Sequence, residues 1–203
     1  VNWYHILFIF SLAICIAGCL YHFIRLVRLG KPVDFSQPAG KTGLAVAYSF
    51  TGGMNPNKKE SAFLHLPTYT AGIIYHIGTF VSIAWMFIFL SDITLSVNVK
   101  IGFAFLLIVS GCCGIGIFLK RMVKNELKSL SNPDDYISNI LVTVFQLITA
   151  ICLLHFSPVY FFMVSAMLLY LPVGKLKHVI YFFAARYHLG LFYGNRGVWP
   201  PKL

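Results

Sequence analysis

Charge is what this sequence has least of. Lys, Arg, Asp and Glu together make up 11% of its 203 residues, against about 25% in a soluble globular domain. Acidic residues are the scarcest, with six Asp and Glu in all. Apolar residues reach 58% and the mean hydropathy is +0.77. Such a chain cannot coat a water-soluble globule with polar side chains, which excludes a soluble enzyme. Disorder is excluded as well, because 19 Phe and 11 Tyr are the residues that disordered segments lack. No C-x-x-C pair occurs among the five cysteines, so an iron–sulfur cluster within this chain is not expected. Cys15, Cys19, Cys112, Cys113 and Cys152 all lie in apolar runs and read as small packing residues. No internal repeat is visible, which argues against a transporter built from matching halves.

What is present is a series of long apolar runs. A helix needs about 20 apolar residues to cross ~30 Å of hydrocarbon. Five stretches are predicted to do so: Trp3 to about Leu26, about Pro67 to Leu90, Ile101 to Leu119, Ile137 to Leu154, and Pro158 past Lys175 to about Ala185. Pro67 suits a first helical turn, where its missing N–H costs nothing. Ser131-Asn132-Pro133-Asp134-Asp135 provides capping residues ahead of the fourth span. Pro172 lies inside the fifth, where a kink is expected. The first stretch differs from a signal peptide: it has no basic leading region, and Arg25 and Arg28 follow it as a stop-transfer flank.

The formal charge of +10 invites a nucleic-acid reading, but the placement of the 16 basic residues gives another. Arg25, Arg28, Lys31, Lys41, Lys58 and Lys59 follow the first span, and Lys120, Arg121, Lys124 and Lys128 follow the third. Lys175, Lys177, Arg186, Arg196 and Lys202 lie at or beyond the end of the fifth, and Lys100 alone lies between the second and third. With the N-terminus outside and the C-terminus cytoplasmic, fifteen of the sixteen face the cytoplasm, as the positive-inside rule requires. The expected fold is therefore an all-α, five-span membrane protein. Residues 1–186 form the membrane domain. Residues 187–203, rich in aromatics, Gly and Pro, form an extended cytoplasmic arm. The loop from Gly30 to Ala62 is long for a helix-bundle connection, and reads either as a docking loop or as a solvated juxtamembrane segment.

Seven histidines stand out in so apolar a chain, and a ligating side chain in a span is a functional hypothesis by default. His65 and His76 are eleven residues apart. At 100° per residue that is about 20° past three full turns, so both imidazoles share one face, ~16 Å apart along the axis. Two haems stacked across a bilayer would need this kind of geometry, and a haem b with two axial His needs its second ligand from another helix. C-type attachment is excluded, because no C-x-x-C-H is present. The topology sets His65 and His178 level near the cytoplasmic side, so they are the expected ligands of an inner haem. His76 lies deeper and is a candidate outer-haem ligand, with His155 or His5 as its partner. Met167, eleven residues before His178, reads as core. His22 reads as a structural hydrogen-bonding group or a propionate contact.

Several of these segments resemble one family. Phe63-Leu64-His65 through Tyr75-His76, Lys100 before the third span, Phe118-Leu119-Lys120-Arg121, Asp134-Asp135, and Leu169-Tyr170-Leu171-Pro172 through His178 are similar to the gamma subunit of respiratory nitrate reductase. That family of five-span cytochromes b has relatives in heterodisulfide reductases and in membrane complexes of sulfate reducers and sulfur oxidisers. The resemblance covers nearly the whole chain, with one residue more between His65 and His76 than in the nitrate enzyme, and one departure matters. The family's fourth haem ligand lies eighteen residues before the last His, and that position here is Tyr160. The resemblance thus implies the inner haem residue by residue and leaves the outer one open between absence, a different ligand and five-coordination.

The resemblance also implies a quinone or quinol site near the outer haem, with Lys100 as hydrogen-bond donor and Asp92 as proton acceptor. Electrons would pass between the menaquinone or ubiquinone pool and a cytoplasm-facing iron–sulfur or flavin subunit docked on the basic loops. The implied location is the cytoplasmic membrane of a bacterium or archaeon. A haem-free membrane anchor or assembly subunit is the rival reading, for which the Tyr160 position argues.

Overall fold

In the computed structural model, residues 2–30, 35–55, 64–91 and 93–201 are described. They are helical, with no strand among them. The helices are α1 (Trp3–Arg28), α2 (Thr42–Phe50), α3 (Leu66–Leu90), α4 (Val97–Val123), α5 (Asn125–Ser129), α6 (Pro133–Leu154), α7 (Val159–Tyr170) and α8 (His178–Asn195). Four of them, α1, α3, α4 and α6, are long and apolar enough to cross a membrane; α7 and α8 bring the number to five if that broken pair counts as one span.

The ends of these helices follow local chemistry. Pro67 falls in the first turn of α3. At α6, the Asp135 backbone N–H donates to Asn132 Oδ1 and the Asn132 N–H donates to Asp135 Oδ2, both at 3.1 Å. That reciprocal capping box, with Pro133 at the first position, satisfies donors that a helix start leaves open. Lys120 and Arg121 lie in the last turn of α4, where cations complement the helix dipole.

The fifth span departs from the expected kinked helix, because the chain breaks. Helix α7 ends at Tyr170, whose carbonyl accepts from Val173 N–H at 3.0 Å and Gly174 N–H at 2.8 Å. Pro172 has no N–H to continue the ladder, and its ring excludes a helical carbonyl four residues back. A Cβ at Gly174 would collide with the Tyr170 ring. A 3₁₀ turn, Lys175–Lys177, then leads into α8.

The chain forms two compact units. The first comprises Val1–Gly18 and Pro67–Leu176. Half of the apolar stretch of α6 is buried, against 17% for α1, so α6 is the most enclosed of the four long helices. It packs on α3 and α4 through glycines: a Cβ at Gly111 would meet Leu147, and one at Gly114 would meet both Tyr75 and Thr143. Small residues permit such close approach where lipid supplies no hydrophobic drive between helices. Trp85, Ala104, Leu107, Ala150 and Leu153 make the apolar core at one end.

The second unit comprises Cys19–Leu66 and Lys177–Leu203, and it corrects the expectation of an extended arm beyond residue 186. Those residues stay helical to Asn195. Gly190 and Gly194 seat α8 against Val46 and Ala45 of α2. Ser49 Oγ donates to the Arg186 carbonyl at 2.8 Å, and the Ala39 N–H donates to the Asn195 carbonyl at 2.7 Å. Trp199 then folds back on Tyr193 and Tyr48, with ring centroids 4.6 and 5.5 Å apart. The long loop after α1 thus contains a packed helix, α2; residues 31–34 and 56–63 of it lie outside the described residues.

A Cβ at Gly190 would strike the Val46 backbone, which cannot move aside as a side chain can. Gly190→Leu should therefore cost about 2 kcal/mol of stability, within the range for overpacking. Protease cleavage within Thr42–Phe50 should rise in purified protein, read by limited proteolysis and mass spectrometry.

Candidate functional site

The two units divide the histidines between them. His22, His65, His178 and His188 belong to the second unit, and His5, His76 and His155 belong to the first together with Lys100 and Tyr160. The candidate inner ligands, His65 and His178, thus lie in one unit. His65 is an exposed residue just ahead of α3, and His178 is an exposed first residue of α8. His22 Nδ1 lies 3.2 Å from the Tyr181 hydroxyl, so its ring is held by a tyrosine of α8.

On α3 the polar groups point two ways. One face is locked into the helix bundle. The Tyr75 hydroxyl donates to the Asn139 carbonyl at 3.0 Å and lies 2.9 Å from Thr143 Oγ1. Gln146 Nε2 donates to the Tyr75 carbonyl at 2.9 Å and to Thr79 Oγ1 at 2.8 Å. Ser110 Oγ donates to the Ile74 carbonyl at 2.9 Å. His76 stands off this face and is exposed, and a Cβ placed at Gly72, four residues before it, would meet nothing within 4 Å. An imidazole beside an open glycine position is a donor with room for a flat ring. His76 thus offers an imidazole with open space beside it, and His65 and His178 are exposed imidazoles within one unit.

Tyr160 does not fit as a ligand. Its side chain is wholly buried, with ring centroids 4.8 Å from Phe89 and 5.5 Å from Phe161. His5 packs edge-on against Phe161 at 5.1 Å, within an aromatic cluster. His155 caps the end of α6 and is exposed.

A cavity of about 320 Å³ opens beside this cluster, lined by Trp85, Phe89, Thr94, Lys100, Cys152 and Phe156 among others. Aromatic and aliphatic walls with one ammonium and one hydroxyl suit a flat, weakly polar ring bearing carbonyl oxygens. Asp92, expected beside Lys100, lies outside the described residues. His76 is not part of the lining; nine residues separate it from Trp85, about 14 Å along the helix.

The opposite end of the first unit carries an ion cluster that the sequence showed only as a cap. Asp135 is buried, and its Oδ1 accepts from Arg121 Nη1 at 2.8 Å and also from Lys175 Nζ. One carboxylate thereby joins the end of α4, the start of α6 and the break after α7. Sequence reasoning also passed over Gln146, a lone amide inside an apolar run, which is a recognisable signal in a span.

No protein-family model, no curated protein and no solved structure matches the chain. The class that the structure itself defines is an α-helical, multi-pass membrane protein.

Removing the shared carboxylate would leave two cations facing each other. Asp135→Ala should destabilise the first unit by about 2 kcal/mol, the scale of lost hydrogen bonds to charged groups. A Lys175→Ala change should cost less in the Asp135→Ala background than alone, as measured by a double-mutant cycle on unfolding in detergent.

Proposed function

We propose that this chain is a membrane cytochrome b subunit, similar in plan to the nitrate reductase gamma family. It exchanges electrons between the quinone pool and a cytoplasm-facing iron–sulfur or flavin subunit. The observation that carries the reading is the grouping of His65 with His178 in one unit, while Lys100 lines a ring-sized aromatic cavity in the other. In this reading the N-terminus is outside, the C-terminus is cytoplasmic, and the membrane is the cytoplasmic membrane of a bacterium or archaeon.

His65 and His178 would hold the inner haem through imidazole nitrogens. His76, with the clearance at Gly72, offers a ligand for a second. Bound there, haem b supplies a one-electron carrier. Lys100 donates a hydrogen bond to a quinone carbonyl, and the walls of Trp85, Phe89 and Phe156 exclude water and hold the ring. Asp92 is the proposed proton acceptor. The basic loops and the α2–α8 unit are the proposed docking face for the cytoplasmic subunit.

A haem-free anchor is the second reading. It is favoured by Tyr160, a core phenol at the position where the similar family carries its fourth ligand.

A reduced-minus-oxidised visible spectrum of the purified protein distinguishes the two: a b-type band is expected, and its absence would sink the cytochrome reading. His178→Ala should remove one haem per chain by pyridine haemochrome quantification, and an unchanged content refutes that ligand. Lys100→Ala should leave the spectrum intact and slow quinol-driven haem reduction by about tenfold or more, as expected for losing a charge-assisted hydrogen bond. An unaltered rate in stopped-flow measurements counts against Lys100.

A further inference from the structure

A row of polar side chains runs along the buried face of α6. Asp135, Ser138, Thr143, Gln146 and Thr149 are all buried there, and Cys152 follows as a lining residue of the cavity beside Lys100. From Asp135 to Cys152 is seventeen residues, about 26 Å of helix rise, which nearly matches ~30 Å of hydrocarbon. Neighbouring helices add to the row. The Tyr170 hydroxyl lies 3.2 Å from Ser138 Oγ, Thr143 Oγ1 lies 3.4 Å from Asn139 Oδ1 and 2.9 Å from the Tyr75 hydroxyl, and Gln146 reaches Thr79 Oγ1. All of these residues belong to the first unit.

Helix adhesion accounts for part of the row, since hydroxyls and amides join helices in lipid. It does not account for four polar atoms that meet no protein partner. Ser82 Oγ, Gln146 Oε1, the Tyr160 hydroxyl and Ser165 Oγ are buried without a hydrogen bond, on residues at most 3% exposed. The Tyr160 hydroxyl faces Thr149, whose own Oγ1 donates to the Phe145 carbonyl at 2.7 Å. Each unmet group costs about 1–3 kcal/mol, and adhesion alone would favour apolar residues at these places. The four lie on α3, α6 and α7, and Gln146 belongs to the hydrogen-bonded row itself. Their acceptors and hydroxyls are the groups that bind water, which takes two to four polar partners in a buried site.

We propose that this seam is a hydrated proton path through the first unit, from the Lys100 cavity to the Asp135 cluster. Water bound by Ser82, Gln146, Tyr160 and Ser165 continues the chain of hydroxyls. Each hydroxyl or water accepts a proton from one neighbour as it releases its own to the next. One proton therefore enters at one end for each that leaves at the other, with no net change in the seam. Arg121 and Lys175 hold Asp135 at its mouth. The path is a property of these residues and does not depend on haem or quinone binding.

The test uses the full chain in liposomes enclosing a pH-sensitive dye, with a potassium diffusion potential set by valinomycin and with neither quinone nor electron donor present. Wild-type protein should pass protons several-fold faster than protein-free liposomes. Gln146→Leu should return the flux to background, and Tyr160→Phe, which keeps the packed ring, should reduce it. Flux no greater than in protein-free liposomes overturns the proposal, as does a flux that neither substitution changes. A seam that serves adhesion alone would show lower thermal stability in both variants with no proton flux in any of the proteins. Because the assay omits electron transfer, its failure leaves the cytochrome reading standing, and a missing b-type band leaves this result standing.

Discussion

The hydrogen bonds that tie Tyr75 and Gln146 across α3 and α6 hold the middle of the first unit together. In hydrocarbon a polar side chain finds no water, so it must be matched by protein or remain unsatisfied. Gln146 meets this by giving both amide hydrogens to α3, one to the backbone and one to Thr79. That geometry requires α3, α4 and α6 to touch closely, and Gly78 of α3 and Gly111 and Gly114 of α4 are where they do. With α3 fixed in rotation by these contacts, His76 is turned away from the bundle, and Trp85 is turned into the core beside the cavity. The side chains with candidate roles in haem and quinone binding are thus positioned by residues outside those sites.

The ion cluster does for one end what the amide does for the centre. Asp135 caps its own helix and accepts from two cations of other segments. A carboxylate with so many donors is costly to replace singly, because each partner would keep its charge. It also anchors the turn that follows the break in the fifth span, since Lys175 is the first residue of that 3₁₀ turn.

Much of the helical plan was legible in the sequence. Apolar length revealed α1, α3, α4 and α6 to within a few residues, and the Asn132–Asp135 cap was visible as a pattern. The fifth span was harder, because one proline can kink a helix or end it. The deciding factor was Gly174, which has no Cβ to collide with the Tyr170 ring. The tail beyond residue 186 looked extended from its Gly and Pro content, yet Gly190 and Gly194 serve as contact points for α2 and not as breakers. Such use depends on a partner far away in sequence, which local composition cannot show. For the candidate site, the helical period showed which histidines share a face, but not that Tyr160 would be enclosed by Phe89 and Phe161, nor that Lys100 would border a cavity.

The break after Tyr170 also bears on how the chain enters a membrane. Helix α7 has twelve residues, about 18 Å of rise, too short to cross ~30 Å of hydrocarbon unaided. It cannot leave the insertion machinery as an autonomous segment. It has to partition into lipid alongside α6, which is already made and offers Ser138 and Asp135 to Tyr170 and Lys175. The order of synthesis, with the acceptor helix preceding the short one, matches the order in which those contacts become available.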